Sequence, residues 1–185
     1  MEHGTKNYRR FRETGDETGL VEVIREYKNG LMLYLNTFVG NLDTAEELAI
    51  DTFALLGTKK PADKGKGSFK TWLYTIGRNL AIDFLRQRER RHELPLEDYV
   101  EMPDEGQNLL ASYIKEEQKL RLHQAMAKLK PEYRQVLWLR FFEDLSGKEA
   151  AAVMKKSVHA TEMLLSRAKK ELKNELEREG FTYEE

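Results

Sequence analysis

The sequence predicts an all-α protein built from two small helical domains. Apolar residues recur at three- and four-residue spacing over most of the chain, which is the periodicity of amphipathic helices, and no strand-like alternation of useful length is present. A stretch rich in acids and prolines interrupts this pattern near the middle of the chain. The 185 residues suffice for two compact units, each with a modest core.

Composition excludes several classes of function. Lys and Arg total 31 against 32 for Asp and Glu, so any attraction to nucleic acid must come from local patches. The chain has no cysteine, which excludes disulfides and Cys-based zinc sites and fits the reducing cytoplasm. Its four His residues are scattered, and no signal peptide, apolar span or catalytic motif is recognisable. We therefore expect a cytoplasmic protein that is not an enzyme, without metal, cofactor or membrane insertion.

The first domain is expected over residues 16–91, after an N-terminal tail at 1–15. Apolar residues over 20–38 have helical spacing. Gly30 interrupts this segment, so it should separate or bend two consecutive helices.

Three further features organise this domain. Asp43, with Glu46 three residues later, is typical of a helix N-cap. Residues 58–67 lack periodicity and contain turn residues, which indicates a loop, and Ser68 can cap the helix that follows. The loop is basic because of four lysines: Lys59, Lys60, Lys64 and Lys66.

An acidic linker is expected at 92–113, because its prolines, glycine and carboxylates favour a flexible connector over a packed element. The second domain then covers 114–178, and 179–185 form a C-terminal tail.

The second domain ends in a predicted helix-turn-helix. One helix should begin at Pro131, a residue tolerated in the first turn. Ser146 and Glu149 have the spacing of a capping box that opens a short helix through Met154. Ser157 can cap the longer final helix. A short helix, a tight turn and a longer helix in this order define the motif.

One helix of the first domain carries a polar stripe. Successive residues of an α-helix are rotated by about 100°, and at this rotation the residues of the stripe lie together on one side of the helix, next to its apolar side. An aromatic ring, an amide, a hydroxyl and a guanidinium beside a basic loop suit single-stranded DNA. The alternative is a solvated helix face with a half-buried Trp. The stripe consists of Trp72, Thr75, Asn79, Asp83 and Arg86.

The same segment carries a family resemblance. Residues 67–86 (GSFKTWLYTIGRNLAIDFLR) resemble the part of the extracytoplasmic-function sigma factors that melts and reads the −10 promoter element. Residues 43–53 (DTAEELAIDTF) resemble the helix of that family that docks on the β′ clamp coiled coil of core RNA polymerase. Residues 122–139, 145–151 and 166–172 are similar to its −35-reading domain.

The resemblance extends over residues 16–178 and implies a sigma factor of the sigma-70 family. Its partners would be core RNA polymerase, through the β′ clamp coiled coil and the β flap, promoter DNA and an anti-sigma factor. The implied polymerase-binding residues are Glu46, Glu47, Ile50, Asp51 and Phe53. Those for the −10 element are Lys59, Lys60, Lys64, Lys66, Trp72, Thr75, Asn79, Asp83, Arg86, Arg88 and Arg90. Those for the −35 element are Ser157, His159, Ala160, Thr161, Glu162, Met163, Ser166, Arg167 and Lys170.

The chain departs from the family pattern at several of these positions. Ile50 stands where Gln is usual, so it is either an exposed anchor or part of a wider buried face. Glu162 replaces a usual Lys or Arg, and His159 replaces a frequent Gly. Glu162 could accept from a cytosine amino group and specify an unusual −35 sequence, or the helix could have lost strong DNA affinity. For 163–165, a wider buried face is favoured over base contact.

Two alternative functions remain open from the sequence. A sigma-like regulator could bind polymerase or an anti-sigma partner while reading promoters weakly, which Glu162 and Ile50 favour. A helix-turn-helix repressor would normally dimerise on a palindromic operator. The stripe from Trp72 to Arg86 has no role in a repressor.

Overall fold

The computed structural model describes residues 2–91 and 117–180, with side chains in the second range from Leu120 onward. The described residues form helices joined by short turns, which confirms the predicted all-α class. The N-terminal unit contains α1 (His3–Thr14), α2 (Glu17–Val39), α3 (Leu42–Lys59) and α4 (Phe69–Arg90). The C-terminal unit contains α5 (Glu117–Ala127), α6 (Pro131–Leu137), a π-helical turn (Trp138–Phe142), α7 (Gly147–Met154) and α8 (Val158–Arg178).

The N-terminal segment, predicted to be a tail, forms α1 and packs on the rest of its unit. Tyr8 and Phe11 are buried, and the Glu2 carboxylate accepts a hydrogen bond from the Phe69 backbone N–H at 2.6 Å. Gly19 permits the close approach of α1 and α2, since a Cβ there would lie 2.4 Å from the Asn7 carbonyl oxygen. Buried aromatic residues, a hydrogen bond to α4 and a close approach to α2 together dock this largely polar helix.

Helix α2 is continuous, so the predicted break at Gly30 is wrong. A Cβ at Gly30 would lie 2.6 Å from the Tyr74 hydroxyl and 3.0 Å from Glu143 Oε1. The absence of a side chain therefore provides room for neighbouring elements, and the helix tolerates the glycine because tertiary packing outweighs its propensity.

Helix starts follow the capping prediction in most places. Ser68 and Ser157 cap α4 and α8, and the capping box of Ser146 and Glu149 is complete. The exception is α3, whose N-cap is Asn41 and not Asp43: the Asn41 side chain accepts from the Thr44 backbone N–H at 2.9 Å. Leu42 is buried, which explains why the helix begins earlier.

In the C-terminal unit, α7 and α8 form a helix-turn-helix supported by α5 and α6. Pro131 occupies the first turn of α6 as predicted. The turn between α7 and α8 contains Lys155 in the left-handed conformation, with φ 54°. The predicted linker at 92–113 lies outside the described residues, as do 114–116 and most of the C-terminal tail. None of the described helices is long and apolar enough to cross a bilayer.

The two units contact each other. Helix α4 packs on α7, and α2 packs on α6 and on the π-helical turn. Each unit also has its own buried residues, including Tyr34, Tyr74 and Phe69 in the first and Leu137 and Leu139 in the second.

Candidate nucleic-acid and partner surfaces

The polar stripe of α4 is partly exposed and partly occupied. Asp83 and Arg86 are exposed and form an ion pair at 3.8 Å, and Asn79 is half-buried above them. The Thr75 hydroxyl donates to the Thr71 carbonyl oxygen at 2.7 Å, so its proton is already used in a hydrogen bond within the helix. Asn79, Asp83 and Arg86 are thus the stripe members most able to contact a ligand.

Trp72 is half-buried at one end of this stripe. Its ring lies 5.2 Å from that of Tyr8 on α1 and 5.5 Å from that of Phe69. The Tyr8 hydroxyl donates to the Pro61 carbonyl oxygen at 2.8 Å, which ties α1 to the basic loop. Burial raises the pKa of Tyr8 to about 12, so this donor keeps its proton. The α1 contacts fix the indole orientation, a contribution that the sequence reading missed.

Basic side chains surround the stripe at both ends. All four predicted loop lysines are exposed, but Lys59 is the last residue of α3, so the loop begins at Lys60 and not at 58. The Lys60 Nζ lies 4.8 Å from the centre of the Phe11 ring. Arg90 is exposed and Arg88 half-buried in the last turn of α4, where the helix dipole favours cations. Positive charge therefore lies on either side of Asn79, which is the distribution a bound strand would need.

Helix α3 presents a mixed acidic and apolar face. Glu47, Ile50 and Asp51 are exposed, and Ile50 retains 51% of its accessible surface. The structure thus selects the exposed position for Ile50 over the wider buried face. Ala54 continues this face, and its spacing of four from Ile50 could have predicted it.

The other two predicted polymerase-binding residues on α3 are less available. Phe53 is 5% exposed and belongs to the core, so its assignment as a contact residue is corrected: it can only support the helix from inside. Glu46 is half-buried and forms an ion pair with Lys28 at 2.6 Å.

Helix α8 exposes most of the predicted −35 residues. His159, Ala160, Glu162, Ser166, Arg167 and Lys170 are exposed, and Ser157 caps the helix. Thr161 is 1% exposed and donates its hydroxyl proton to the Ser157 carbonyl oxygen at 2.9 Å. Its assignment to base reading is therefore corrected, since it is buried beneath the first turn.

The apolar residues of α8 divide between core and surface. Leu164 and Leu165 pack against the core, as expected. Met163 is 44% exposed, so the expectation that it widens the buried face is wrong. It lies beside Glu162 on the open side of the first turns.

The Glu162 carboxylate lies next to the start of α7. A Cβ added at Gly147, the first residue of α7, would be 3.6 Å from Glu162 Oε1. Helix N-termini favour nearby negative charge. The carboxylate thus has a favourable intramolecular position at the edge of the surface that would face DNA.

An aromatic cluster on the C-terminal unit was not recognised from the sequence. Phe141 is 59% exposed, and the Trp138 and Phe142 rings stack with centroids 4.3 Å apart. The π-helical turn adds one residue per hydrogen-bonded ring, so Phe141 rotates out of the apolar stripe that it continues in the sequence. Beside the cluster, burial lowers the pKa of His123.

Metal ligands are not grouped in the described residues: three or more His, Asp or Glu side chains nowhere converge there as a metal site would require. The described surfaces instead combine a helix-turn-helix with a polar stripe beside a basic loop. This combination is typical of the class of proteins that contact DNA at two places through one chain.

Comparisons with known proteins identify the family within this class. The model of sigma-70 region 2 matches residues 23–91, and that of sigma-70 region 4 matches residues 119–172. The chain is 30% identical over 159 residues to the RNA polymerase sigma factor YlaC of Bacillus subtilis, covering 84% of this chain and 90% of the relative. It is 31% identical over 145 residues to the ECF RNA polymerase sigma factor RpoE of Cereibacter sphaeroides, covering 78% of each.

The fold has solved counterparts. A crystal structure of the sigma factor RpoE with the anti-sigma factor NepR from Bartonella quintana aligns with a TM-score of 0.68 at 22% identity, over 84% of this chain and 95% of that one. The chain belongs to the extracytoplasmic-function sigma factors of the sigma-70 family. It is a transcription initiation factor that acts with RNA polymerase at promoters, and sigma factors of this family are not enzymes. The repressor alternative is therefore set aside.

Proposed function

We propose that three surfaces divide the work of promoter recognition in this sigma factor. The exposed α3 face, with Glu47, Ile50 and Asp51, binds the β′ clamp coiled coil of core polymerase. The α4 stripe and basic loop hold the −10 strand, and the open side of α8 reads the −35 duplex. The observation that carries this assignment is the exposure of Asn79, Asp83 and Arg86, in whole or part, between two groups of basic side chains.

The −10 step uses binding energy to capture an unpaired strand. Trp72, held by Tyr8 and Phe69, is a half-buried aromatic ring on whose face a base can stack, and such stacking contributes about 1–3 kcal/mol per base. The loop lysines attract phosphates and surround the place where a flipped base would be received. Asn79 supplies an amide that can both donate to and accept from a base edge.

The −35 step has a divergent chemistry. Glu162 can accept from the N4 amino group of cytosine, and the exposed Met163 can contact a thymine methyl group. Arg167 and Lys170, exposed one and two turns further on, are suited to phosphates. This sigma factor should therefore recognise an unusual −35 sequence.

Regulation and location follow from the same family. Because the Bartonella quintana structure contains a sigma factor with an anti-sigma factor, we include an anti-sigma protein among the partners of this chain. Its place of action is the cytoplasm, where core polymerase and promoters are found.

Reconstituted transcription with core polymerase on a promoter library tests this proposal. The protein should give sequence-dependent initiation without another specificity subunit. D51A should weaken core binding, whereas D43A, an exposed carboxylate in the first turn of the same helix, should not. Absence of core binding by the unmodified protein would contradict the proposal, and equal effects of D51A and D43A would contradict the α3 assignment.

A further inference from the structure

Helix α1 holds the basic loop at the point where the loop begins. The Tyr8 side chain is 2% exposed, and its hydroxyl donates to the Pro61 carbonyl oxygen at 2.8 Å. Directly before Pro61, the Lys60 Nζ lies 4.8 Å from the centre of the Phe11 ring, within the range of a cation–π contact. Two aromatic residues about one turn apart on α1 thus fix two consecutive residues of the loop.

The backbone conformation of Lys60 supports this role. Its φ of 45° lies in the left-handed region, which glycine adopts freely and other residues rarely adopt. Lys60 is the C-cap of α3, a position where glycine is common. A glycine here would end α3 without strain but would have no side chain to reach Phe11. The lysine therefore makes a contact with α1 that offsets its strained conformation.

Helix α1 also holds the other end of the loop. The Glu2 carboxylate, one residue before α1, accepts from the Phe69 backbone N–H at 2.6 Å, where α4 begins. Between the two ends, Asp63 Oδ1 accepts from the Gly65 backbone N–H at 3.0 Å, which closes a turn inside the loop. The loop is therefore constrained at its start, in its middle and at its end.

The same helix contacts the aromatic ring beside the loop. The Tyr8 ring lies 5.2 Å from that of Trp72 and 5.7 Å from that of Phe69. The ring of Tyr8 thus touches the residue on which a −10 base is proposed to stack, and its hydroxyl holds the loop that is proposed to receive a flipped base. Any displacement of Tyr8 would move both parts of the −10 site together.

A loop held in this way can bind a base more tightly than a flexible loop. Ordering each residue of a flexible loop costs conformational entropy, and a flipped base also loses its stacking in the duplex. A loop that is ordered before the DNA arrives avoids the first cost. It also fits fewer base shapes, because its groups cannot move to accommodate each base. A preformed loop should therefore raise both the affinity for the flipped base and the discrimination between bases.

We propose that α1 is a positioning element of the −10 site, in which the Tyr8 hydroxyl and the Glu2 carboxylate hold the basic loop in the shape that selects the flipped base. Neither residue needs to touch DNA, since each acts through the loop. The inference rests on the proposed function of the loop and the α4 stripe, but the hold of α1 on the loop can be measured without DNA or polymerase.

Limited proteolysis of the full chain tests how firmly the loop is held. Trypsin cleaves after lysine, so cleavage after Lys64 and Lys66 reports the opening of the loop, and mass spectrometry follows each product. Y8F removes only the hydroxyl that reaches Pro61 and leaves the ring in place. It should raise the rate of these cleavages by about 3- to 10-fold, which is the effect expected for one hydrogen bond.

Further variants separate positioning from a general loss of stability. E2A should also speed cleavage after Lys66, and E2Q, which keeps an oxygen that can accept from Phe69, should restore the slow rate. Y27F is the matched control for Y8F. The Tyr27 ring also packs on Phe69, with centroids 5.4 Å apart, but its hydroxyl faces Gly4 of α1, where a Cβ would lie 2.6 Å away. Y27F should therefore leave loop cleavage unchanged.

Promoter opening tests the consequence for base selection. A fluorescent base analogue placed at each −10 position in turn reports which base unstacks in the complex with core polymerase, and substitutions at that position measure discrimination. Y8F should lower the preference for the best base over the next by about 3- to 10-fold. Affinity for core polymerase and base preferences at the −35 element should not change, whereas a general loss of stability would not be confined to one base position.

Thermal melts check that each variant is folded at the assay temperature, and if Y8F is not, the comparison of E2A with E2Q decides. Equal cleavage in Y8F and the unmodified protein, equal effects of Y8F and Y27F, failure of E2Q to restore slow cleavage, or unchanged discrimination by Y8F overturns the proposal. Faster cleavage in Y8F combined with an unmodified protein that shows no −10 discrimination would instead refute the proposed function.

Discussion

Replacing Glu162 by Lys tests how α8 meets DNA. The residue is exposed on the first turns of α8, and its carboxylate lies next to Gly147 at the start of α7. A lysine there reverses a charge at the edge of the groove-facing surface. We expect tighter and more salt-dependent binding to a −35 duplex, together with a slightly lower Tm, because α7 loses a favourable charge at its N-terminus.

The size of the effect follows from counterion release. One added phosphate contact makes the negative slope of log K against log salt concentration steeper by about 0.9. This corresponds to binding about eightfold tighter than that of the unmodified protein at about 0.1 M salt. E162Q removes only the negative charge and should give a smaller gain. E177K makes the same reversal about 22 Å further along the helix, beyond the screening length of about 10 Å, and should change neither quantity.

Fluorescence anisotropy of the full chain with a labelled duplex, titrated across a series of salt concentrations, measures the affinity and its salt dependence. An E162K slope equal to that of the unmodified protein would refute the placement of Glu162 near the DNA. A loss of affinity restricted to particular −35 sequences would instead support direct contact between Glu162 and a base.

Two further predictions concern stability. F53A should lower the free energy of unfolding by about 3–5 kcal/mol in urea melts because Phe53 is buried. I50A should change that free energy by less than about 0.5 kcal/mol while weakening binding to core polymerase. Equal free energies of unfolding for the two variants would contradict the buried position of Phe53 and the exposed position of Ile50. Burial lowers the pKa of His123 below 6.5, so the unfolded chain binds the proton more readily, and stability present above pH 6.5 should fall as the pH drops through the folded-state pKa. H123Q should reduce this fall in pH-dependent melts, and a melt series for H123Q equal to that of the unmodified protein would contradict the burial of His123.

Local sequence signals predicted the start of a helix wherever a side chain caps the backbone of that same helix. Ser68, Ser146 and Ser157 each cap the predicted helix because a hydroxyl oxygen can accept from a backbone N–H two or three residues later. Gly30 failed as a predicted break because its space is filled from outside the helix, by Tyr74 and Glu143. A single-helix pattern contains no information on such distant neighbours.

The candidate surfaces could likewise be predicted from the sequence only in part. Residue type and spacing indicated the stripe and the α3 face, but not which members are buried. Phe53 and Thr161 match the family positions and yet lie inside, while Met163 lies outside. The π-helical turn changes the register after Leu137, which moves Phe141 to the surface without any sequence signal of its own.

The contact between the units is the part that sequence reasoning could least reach, for a physical reason. Lys70 and Glu143 are charged residues of the kind normally found in water, so their types predict exposure. Only tertiary structure brings the Lys70 Nζ of α4 within 2.8 Å of Glu143 Oε2, in the room that Gly30 leaves, and lets Trp138 Nε1 donate to the other carboxylate oxygen.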